Sequence, residues 1–559
     1  MPVLLPLSLM APLLLALLLA GRGRRAVPIL APWVSLPPLA LAALPGLEME
    51  LPWLLLGMRL GVDGVGAPFL LLAGLLWTGA GICAQGYLAD DAERPRFYAF
   101  WLLTYTGNLG VFLALDGVGF YLFFALMSFA AYGLIVHDGS APARRAGRVY
   151  LILAVIGEVL LLVVLFRLGA SFGNPDLRSL AALLAPLPDR DWIIALALLS
   201  FAIKMGAVPL HVWLAVAHPW APTPASAVLS GVIIKAGLMG WLRFLPLGEA
   251  ALPDWGSLCL AAGMLSAFYA VAAGLPQRRV KTVLAYSSVS QMGLITALLG
   301  MGLTAPELWP PILGTILIFS LHHGLAKGTL FLGLAVTQRG PAWTGLGHLL
   351  PCLAIAGAPL TGGALAKLLF KDYAQLLPNV WADRLPPLLT LSSVATALLL
   401  ARFVYLAWPR APSRPVPVRL WLPWLALLAA GALPWWWAAP RFPEAVARAI
   451  DHARHLDGVM PLGVALGLAV AVWVWWRLTR FRVRLPEGDI LYLFSQLGAR
   501  VRARAAPIPG DNELALSPGG LAASKILLRY GERRLRGWGL AGGLLVLLVL
   551  GLAGALYRG

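Results

Sequence analysis

The chain has 559 residues, 60% of them hydrophobic and only 12% charged, with a formal net charge of +18. A soluble protein of this size is roughly 45–50% apolar and about 25% charged, so the composition excludes a water-soluble globular fold and indicates a polytopic membrane protein. Cys83, Cys259 and Cys352 each stand alone in an apolar run, which excludes a disulfide framework or a cysteine-ligated cluster within the chain. The basic residues sit in short loops between apolar runs, the positive-inside pattern, which argues against nucleic acid as a partner.

The first stretch, MPVLLPLSLMAPLLLALLLA, has no basic residue before its apolar run and the cluster GRGRR after it. A secretory signal has the opposite order, so a retained first helix with its N-terminus outside is expected. With roughly 20 apolar residues per span, about sixteen candidates follow along the chain. They centre near residues 12, 37, 76, 106, 127, 159, 203, 235, 265, 291, 324, 362, 397, 429, 468 and 548, the second being rich in proline. Alternate loops should then face the cytoplasm. Those loops hold Arg22, Arg24 and Arg25; Arg94 and Arg96; Arg144, Arg145 and Arg148; Arg278, Arg279 and Lys281; Arg339; and Arg410, Arg414 and Arg419. The intervening loops are poorer in Lys and Arg, although 441–458 keeps Arg441, Arg448 and Arg454. Residues 478–537 form one long polar stretch, which the charge rule places inside, with RFRVR and ERRLR near its two ends. Within it, SKILLRYGERRL has apolar residues at helical spacing beside basic ones. It fits a surface helix on the membrane, a contact with a partner subunit, or a solvated basic linker. A last apolar helix near 538–557 would return the C-terminus outside. The organisation expected is N-terminal spans over 1–96, a core over 97–410, further core helices over 411–477, the basic segment 478–537, and a final span in 538–559.

Lys204, Lys235, Lys327 and Lys367 fall inside apolar runs, as do His323 and Glu158. A lysine at the centre of a span costs about 2.5–3.5 kcal/mol on insertion scales, so four of them need a reason. Snorkelling to an interface is the plain alternative, and it is weakest for Lys204, about twelve residues or roughly 18 Å into its helix. A buried lysine balanced between desolvation and a nearby carboxylate can take up and release a proton. His323 and Lys327 are four apart and share one helix face. A neutral imidazole both accepts and donates, which suits a relay, and a hydrogen-bonded core histidine is the bland reading. Pro209 follows Lys204, and GAPLTGG at 357–363, with Pro359, precedes Lys367. Proline breaks helices, and unwound backbone at membrane depth occurs where it lines a cavity or is packed in protein. Two broken helices, each with a lysine, suggest an inverted internal repeat.

The segment KMGAVPLHVWLAVAHPWAPTPASAVLSGVIIKAG at 204–237 resembles the proton-translocating, antiporter-like subunits of respiratory complex I. That family includes the large subunits of Mrp-type sodium/proton antiporters and the membrane arms of energy-converting hydrogenases and formate hydrogenlyases. VKTVLAYSSVSQMGLI at 280–295 and HHGLAKGTLFLGLA at 322–335 match further family segments, and the resemblance spans roughly 60–410. It implies an all-α fold of about fourteen core spans with two inverted five-helix repeats, to which this chain adds about two C-terminal helices. It also implies a relay in which Lys204 is the first broken-helix lysine, Lys235 the connecting one, His323 and Lys327 the central pair, and Lys367 the terminal group. Three positions depart from the pattern. FYLFFALM has Ala125 where the family has Glu, the usual partner of the first lysine; Val216 and Arg279 stand where acids are usual. Glu158, deep in the next helix, is the best local substitute for the lost partner; the alternative is that Lys204 is unpaired and the channel weakened or differently coupled.

Other motifs carry less. GAGICA at 79–84 fits a loose dinucleotide pattern but lies inside an apolar helix with no strand before it, as expected of close helix packing. DHARHLD at 451–457 reads as a solvated loop helix, with metal binding through His452 and His455 as the sharper alternative. No cofactor is expected in this chain, so any redox chemistry belongs to partners. Four readings stay open: a proton-conducting subunit of a redox-driven complex with other membrane subunits and a peripheral module; a cation/proton antiporter subunit moving protons or sodium; a transporter half coupled to a soluble inorganic-carbon enzyme; and a relative whose path has decayed. A multi-pass location in the cell inner membrane is expected for each.

Overall fold

The computed structural model describes residues 3–409, 414–453 and 459–479, together with Ile490. The rest of the basic stretch from 480, the apolar run near 538–557 and most of the DHARHLD loop lie outside the described residues.

Helices α1 (Leu4–Leu17), α2 (Val27–Leu30) and α3 (Leu36–Leu41) precede a hairpin of β1 (Glu48–Leu51) and β2 (Met58–Gly61). Then come α4 (Gly66–Tyr87), α5 (Arg94–Leu113), α6 (Gly117–Ile135), α7 (Ala141–Phe172) and the short α8 (Leu180–Leu184). The next span is divided into α9 (Arg190–Met205) and α10 (Val212–Ala217). Helix α11 (Thr223–Val228) runs through a π-helical turn (Leu229–Ile233) into α12 (Lys235–Phe244). Helices α13 (Pro253–Gly274), α14 (Val280–Thr304) and α15 (Trp309–Thr337) are long and unbroken. A second divided span consists of α16 (Leu349–Ala356) and α17 (Gly362–Ala374). The described chain closes with α18 (Trp381–Ala407), α19 (Val418–Ala430), α20 (Leu433–Ala438), α21 (Pro443–His452) and α22 (Met460–Thr479).

A helix stands at each of the expected centres from residue 12 to residue 468. Nine helices among the described residues are long and apolar enough to cross a membrane, and shorter apolar helices accompany them. All of the apolar stretch of α14 is buried, against a third of that of α7. The centre of the bundle is therefore α14 with the α11–α12 span, 94% buried, and the inner part of α15, while α7 lies at the rim.

The hairpin is the one departure from an all-helical chain among the described residues. Its strands are too short to register in a search by apolar length. They pair antiparallel with Glu48 opposite Gly61 and Leu51 opposite Met58. Asp116 anchors them: its carboxylate accepts the Arg59 N–H at 2.8 Å, caps α6 through the Gly119 N–H at 2.8 Å, and accepts Asn174 Nδ2 at 3.1 Å. The hairpin, the α5–α6 turn and the α7–α8 turn thus lie together on one face of the bundle. The opposite face carries the arginine-rich loops, where Arg96 donates to His137 O at 2.5 Å and Arg279 stacks 4.3 Å from the Trp220 ring centroid.

The two divided spans are built alike. Helix α9 ends on Gly206 (φ +72°), with the Ala207 N–H reaching back to Ala202 O at 3.0 Å. Helix α16 ends on Gly357 (φ +91°), with the Ala358 N–H reaching Leu353 O at 2.9 Å. Each is a left-handed glycine cap that satisfies carbonyls left over at a helix end. The sequence reading assigned the breaks to Pro209 and Pro359; the helices stop at glycines before the prolines, which then prevent resumption in line. Four spans lie between the two divided ones, so they cross the bundle in opposite directions, as an inverted repeat requires.

Candidate functional site

All four lysines expected from the sequence are buried, at 4% exposure for Lys204, 0% for Lys235 and Lys327, and 6% for Lys367. None opens to the protein surface, which argues against snorkelling. Each ammonium is held by a few oxygens or a ring nitrogen.

Lys204 lies in the last turn of α9, two residues before the glycine cap. Its Nζ donates to Ser128 Oγ at 2.6 Å and Tyr150 Oη at 3.3 Å, and stands 5.1 Å from the Phe124 ring centroid. Ser128 is three residues beyond Ala125, so α6 still serves this lysine, through a hydroxyl one turn away from the expected acid. A cavity of about 10 Å³, measured as space open to the centre of a water molecule, is bordered by Tyr150, Gly157, Ser200, Lys204 and Trp213. That is room for about one water. Glu158 follows Gly157 on α7 and is 3% exposed; neither carboxylate oxygen has a hydrogen-bond partner among the described residues.

Lys235 is placed by the π-helical turn. The extra residue in that turn frees Ser230 O from the regular ladder, and Lys235 Nζ approaches it at 3.3 Å. On its other side Lys235 Nζ lies 2.6 Å from His323 Nδ1. The two helices can come this close because glycine faces glycine. A Cβ on Gly231 would be 3.2 Å from Gly324 O, and one on Gly324 would be 2.8 Å from Gly231 O. Ser230 Oγ also meets Ser288 Oγ at 2.7 Å, which ties the same turn to α14.

Lys327 is one turn from His323 on α15. It donates to Leu284 O at 2.7 Å and to Ser287 Oγ. The pair Ser287–Ser288 in VLAYSSVS thus serves both Lys327 and the turn beside Lys235. Lys367 donates to Ala356 O at 2.8 Å and to Ser393 Oγ at 3.0 Å. Ala356 ends α16, so this ammonium caps the negative end of one half-helix from within the other.

His322, not singled out by the sequence, is a further buried histidine beside these groups. It is 4% exposed, its Nε2 has no partner among the described residues, and it lies against Gly362 and Gly363 at the start of the helix that carries Lys367. Its position one residue before His323 puts it on a different face of α15, which is the signal that it points elsewhere. A Cβ on Gly363 would collide with Ala354 O and stand 2.8 Å from His322 Nε2. Gly363→Ala is therefore expected to wedge α17 from α16, costing about 1–3 kcal/mol. A lower thermal unfolding temperature in detergent checks this.

Further buried polar atoms without partners among the described residues surround this line: Ser290 Oγ, Gln291 Oε1, Ser320 Oγ, His323 Nε2, Thr282 Oγ1 and both ring nitrogens of His218. Buried polar groups are normally bonded to protein or ordered water, so these unbonded atoms make the surroundings of the lysines unusually polar for a helix-bundle interior. Among the described residues no group of His, Cys, Asp and Glu is arranged to hold a metal ion.

A multi-pass helical membrane protein with two divided spans and a set of buried lysines and histidines on and between those spans is the class that fold and site define. Residues 114–398, which hold every one of these lysines, match the family described as NADH:quinone oxidoreductase/Mrp antiporter, TM, and the chain belongs to that family. It is 29% identical over 336 residues to hydrogenase-4 component B of Escherichia coli, covering 56% of this chain and 50% of that protein. It is 33% identical over 332 residues to NAD(P)H-quinone oxidoreductase chain 4 3 of Picosynechococcus, covering 57% of this chain and 58% of that one. The chain thus spans little more than half the length of these relatives. For NADH-quinone oxidoreductase subunit M of Rhodobacter capsulatus the identity is 30% over 357 residues, 58% of this chain and 68% of the relative. A chain of the Mrp complex from Dietzia superposes with a TM-score of 0.66 at 21% identity, over 93% of this chain and 63% of that one. A chain of the membrane-bound sulfane sulfur reductase, an archaeal respiratory complex, does so at 0.65 and 20%, over 82% and 99%. These likenesses carry the fold.

Proposed function

We propose that this chain is a proton-conducting membrane subunit of a redox-driven complex, with Lys204, Lys235, His323, Lys327 and Lys367 as successive stations and Glu158 as the counter-charge of the first. The observation that carries the reading is the 2.6 Å contact between Lys235 Nζ and His323 Nδ1, both fully buried. One of the two must present a lone pair, so the pair holds one proton fewer than it could, and a proton can pass between them. A purely structural bundle would favour apolar side chains of like volume at these positions. In this reading the driving redox reaction takes place in other subunits of the complex. The alternation of arginine-rich loops supports a cell inner membrane with that face in the cytoplasm and the hairpin face outside.

The test is purification of the native assembly in mild detergent with identification of its chains. Quinone-reductase-like or nickel–iron-hydrogenase-like partners are expected. A set of cation-antiporter subunits alone, with sodium-dependent transport, would replace this reading by the antiporter one.

A further inference from the structure

Arg243 lies in the last turn of α12, at the hairpin face, and is 4% exposed. Its Nη1 forms an ion pair with Asp63 Oδ2 at 2.6 Å, while Nε and Nη2 have no partner among the described residues. Asp63, in the loop between β2 and α4, also accepts the Gly66 N–H at 2.7 Å. Burial works to raise the Asp63 carboxyl, but the Arg243 charge, the Gly66 N–H and Arg178 together hold it below its ordinary value. The pair is therefore charged at neutral pH, with the better exposed anion towards the outside and the cation towards the interior.

Lys235, Met239 and Arg243 follow one another at four-residue steps and share one face of α12. Eight residues place Arg243 about 12 Å along the axis from Lys235, and Met239 between them is fully buried. Phe244 packs on Phe120 and Phe201, with ring centroids at 5.2 and 5.6 Å, and seals the flank. A buried guanidinium is costly and stays only where its charge or its donors are used. The ion pair uses one nitrogen; two nitrogens, with three N–H donors, are left for water. Water held by such donors turns its oxygen towards the arginine, and the fixed charge repels an excess proton, which is how an arginine excludes protons from a water-filled pore.

We propose that Arg243 is the barrier that closes the outer end of α12 to protons, so that a proton at Lys235 moves on to His323 and Lys327 instead of escaping along its own helix. This rests on the relay role of Lys235. The assay is passive proton permeation into vesicles carrying the full chain in its native assembly, driven by a potassium diffusion potential and read with an internal pH dye. A unit charge 12 Å away at an effective dielectric near 20 changes proton occupancy about tenfold. Arg243→Gln is expected to raise the leak by about that factor, Arg243→Lys to stay tight, and Lys235→Ala on the Arg243→Gln background to remove the added leak. If Arg243→Gln strands Asp63 and unfolds, Asp63→Asn/Arg243→Gln, which leaves neither charge unpaired, is expected to raise the leak in the same direction but by less, because the paired charges partly cancel at this distance. A leak unchanged by loss of the arginine, or one that survives Lys235→Ala, overturns the barrier. Failure of the relay itself shows separately, as driven transport untouched by Lys327→Ala.

Discussion

Lys327→Ala is expected to abolish proton movement in reconstituted vesicles, with at least a tenfold fall, about 1.4 kcal/mol or more on the transport barrier. Lys327 is the buried cation between the Lys235–His323 contact and the α14 hydroxyls, and no other side chain donates to Ser287 Oγ among the described residues. Alanine leaves a gap at the centre of the bundle that no proton carrier bridges. Loss of the fold is not the expected cause. An ammonium at mid-depth costs about 2.5–3.5 kcal/mol, so removing it relieves a desolvation penalty while creating a cavity of comparable cost. The unfolding temperature should shift little while flux disappears. Lys327→Arg separates two meanings of the charge. Arginine keeps the cation but does not give up its proton, so a relay fails with arginine, whereas a fixed electrostatic post works with it. Unchanged flux in both Lys327→Ala and Lys204→Ala would remove the relay.

The lysines were legible because charge in an apolar run is rare and expensive, and each expected one is buried and held by oxygen or nitrogen. The His323–Lys327 face was legible from a four-residue spacing. What holds these groups was not. The π-helical turn that frees Ser230 O for Lys235 has no composition signal, because its residues, LSGVI, are ordinary in a membrane helix. His322 was overlooked because its neighbour satisfied the spacing rule and it did not. The breaks expected at Pro209 and in GAPLTGG rest on proline, whereas the helix ends themselves are capped by the glycines just ahead of the prolines. The caps at Gly206 and Gly357 depend on positive φ, which a glycine permits without requiring. The hairpin was hidden because strands of four residues leave no mark in a search for long apolar runs, and its anchor, Asp116, acts through contacts with residues far away in sequence.

Glu158→Gln decides what became of the charge missing at Ala125. Glutamine keeps the size and most of the hydrogen-bonding capacity of the side chain and removes only its charge. Glu158 is buried one residue from the wall of the cavity beside Lys204, with both oxygens unbonded among the described residues, while Lys204 Nζ is directed to Ser128 and Tyr150. The two ends therefore influence each other through space and through water. At an effective dielectric near 20, an opposite charge in the same buried region is worth on the order of 1–4 kcal/mol, so even the low end of that range predicts a fall in flux on the order of tenfold for Glu158→Gln. A second substitution makes the test specific. Ala125 is half-buried on the helix that already supplies Ser128 to Lys204. Ala125→Glu on the Glu158→Gln background is therefore expected to restore much of the lost flux by returning a carboxylate to the same ammonium from the neighbouring helix. Rescue would show that the lysine needs a carboxylate and accepts it from either helix. Full flux in Glu158→Gln alone would mean that Lys204 works with hydroxyls as its only partners, and that the first station is set by Ser128 and Tyr150.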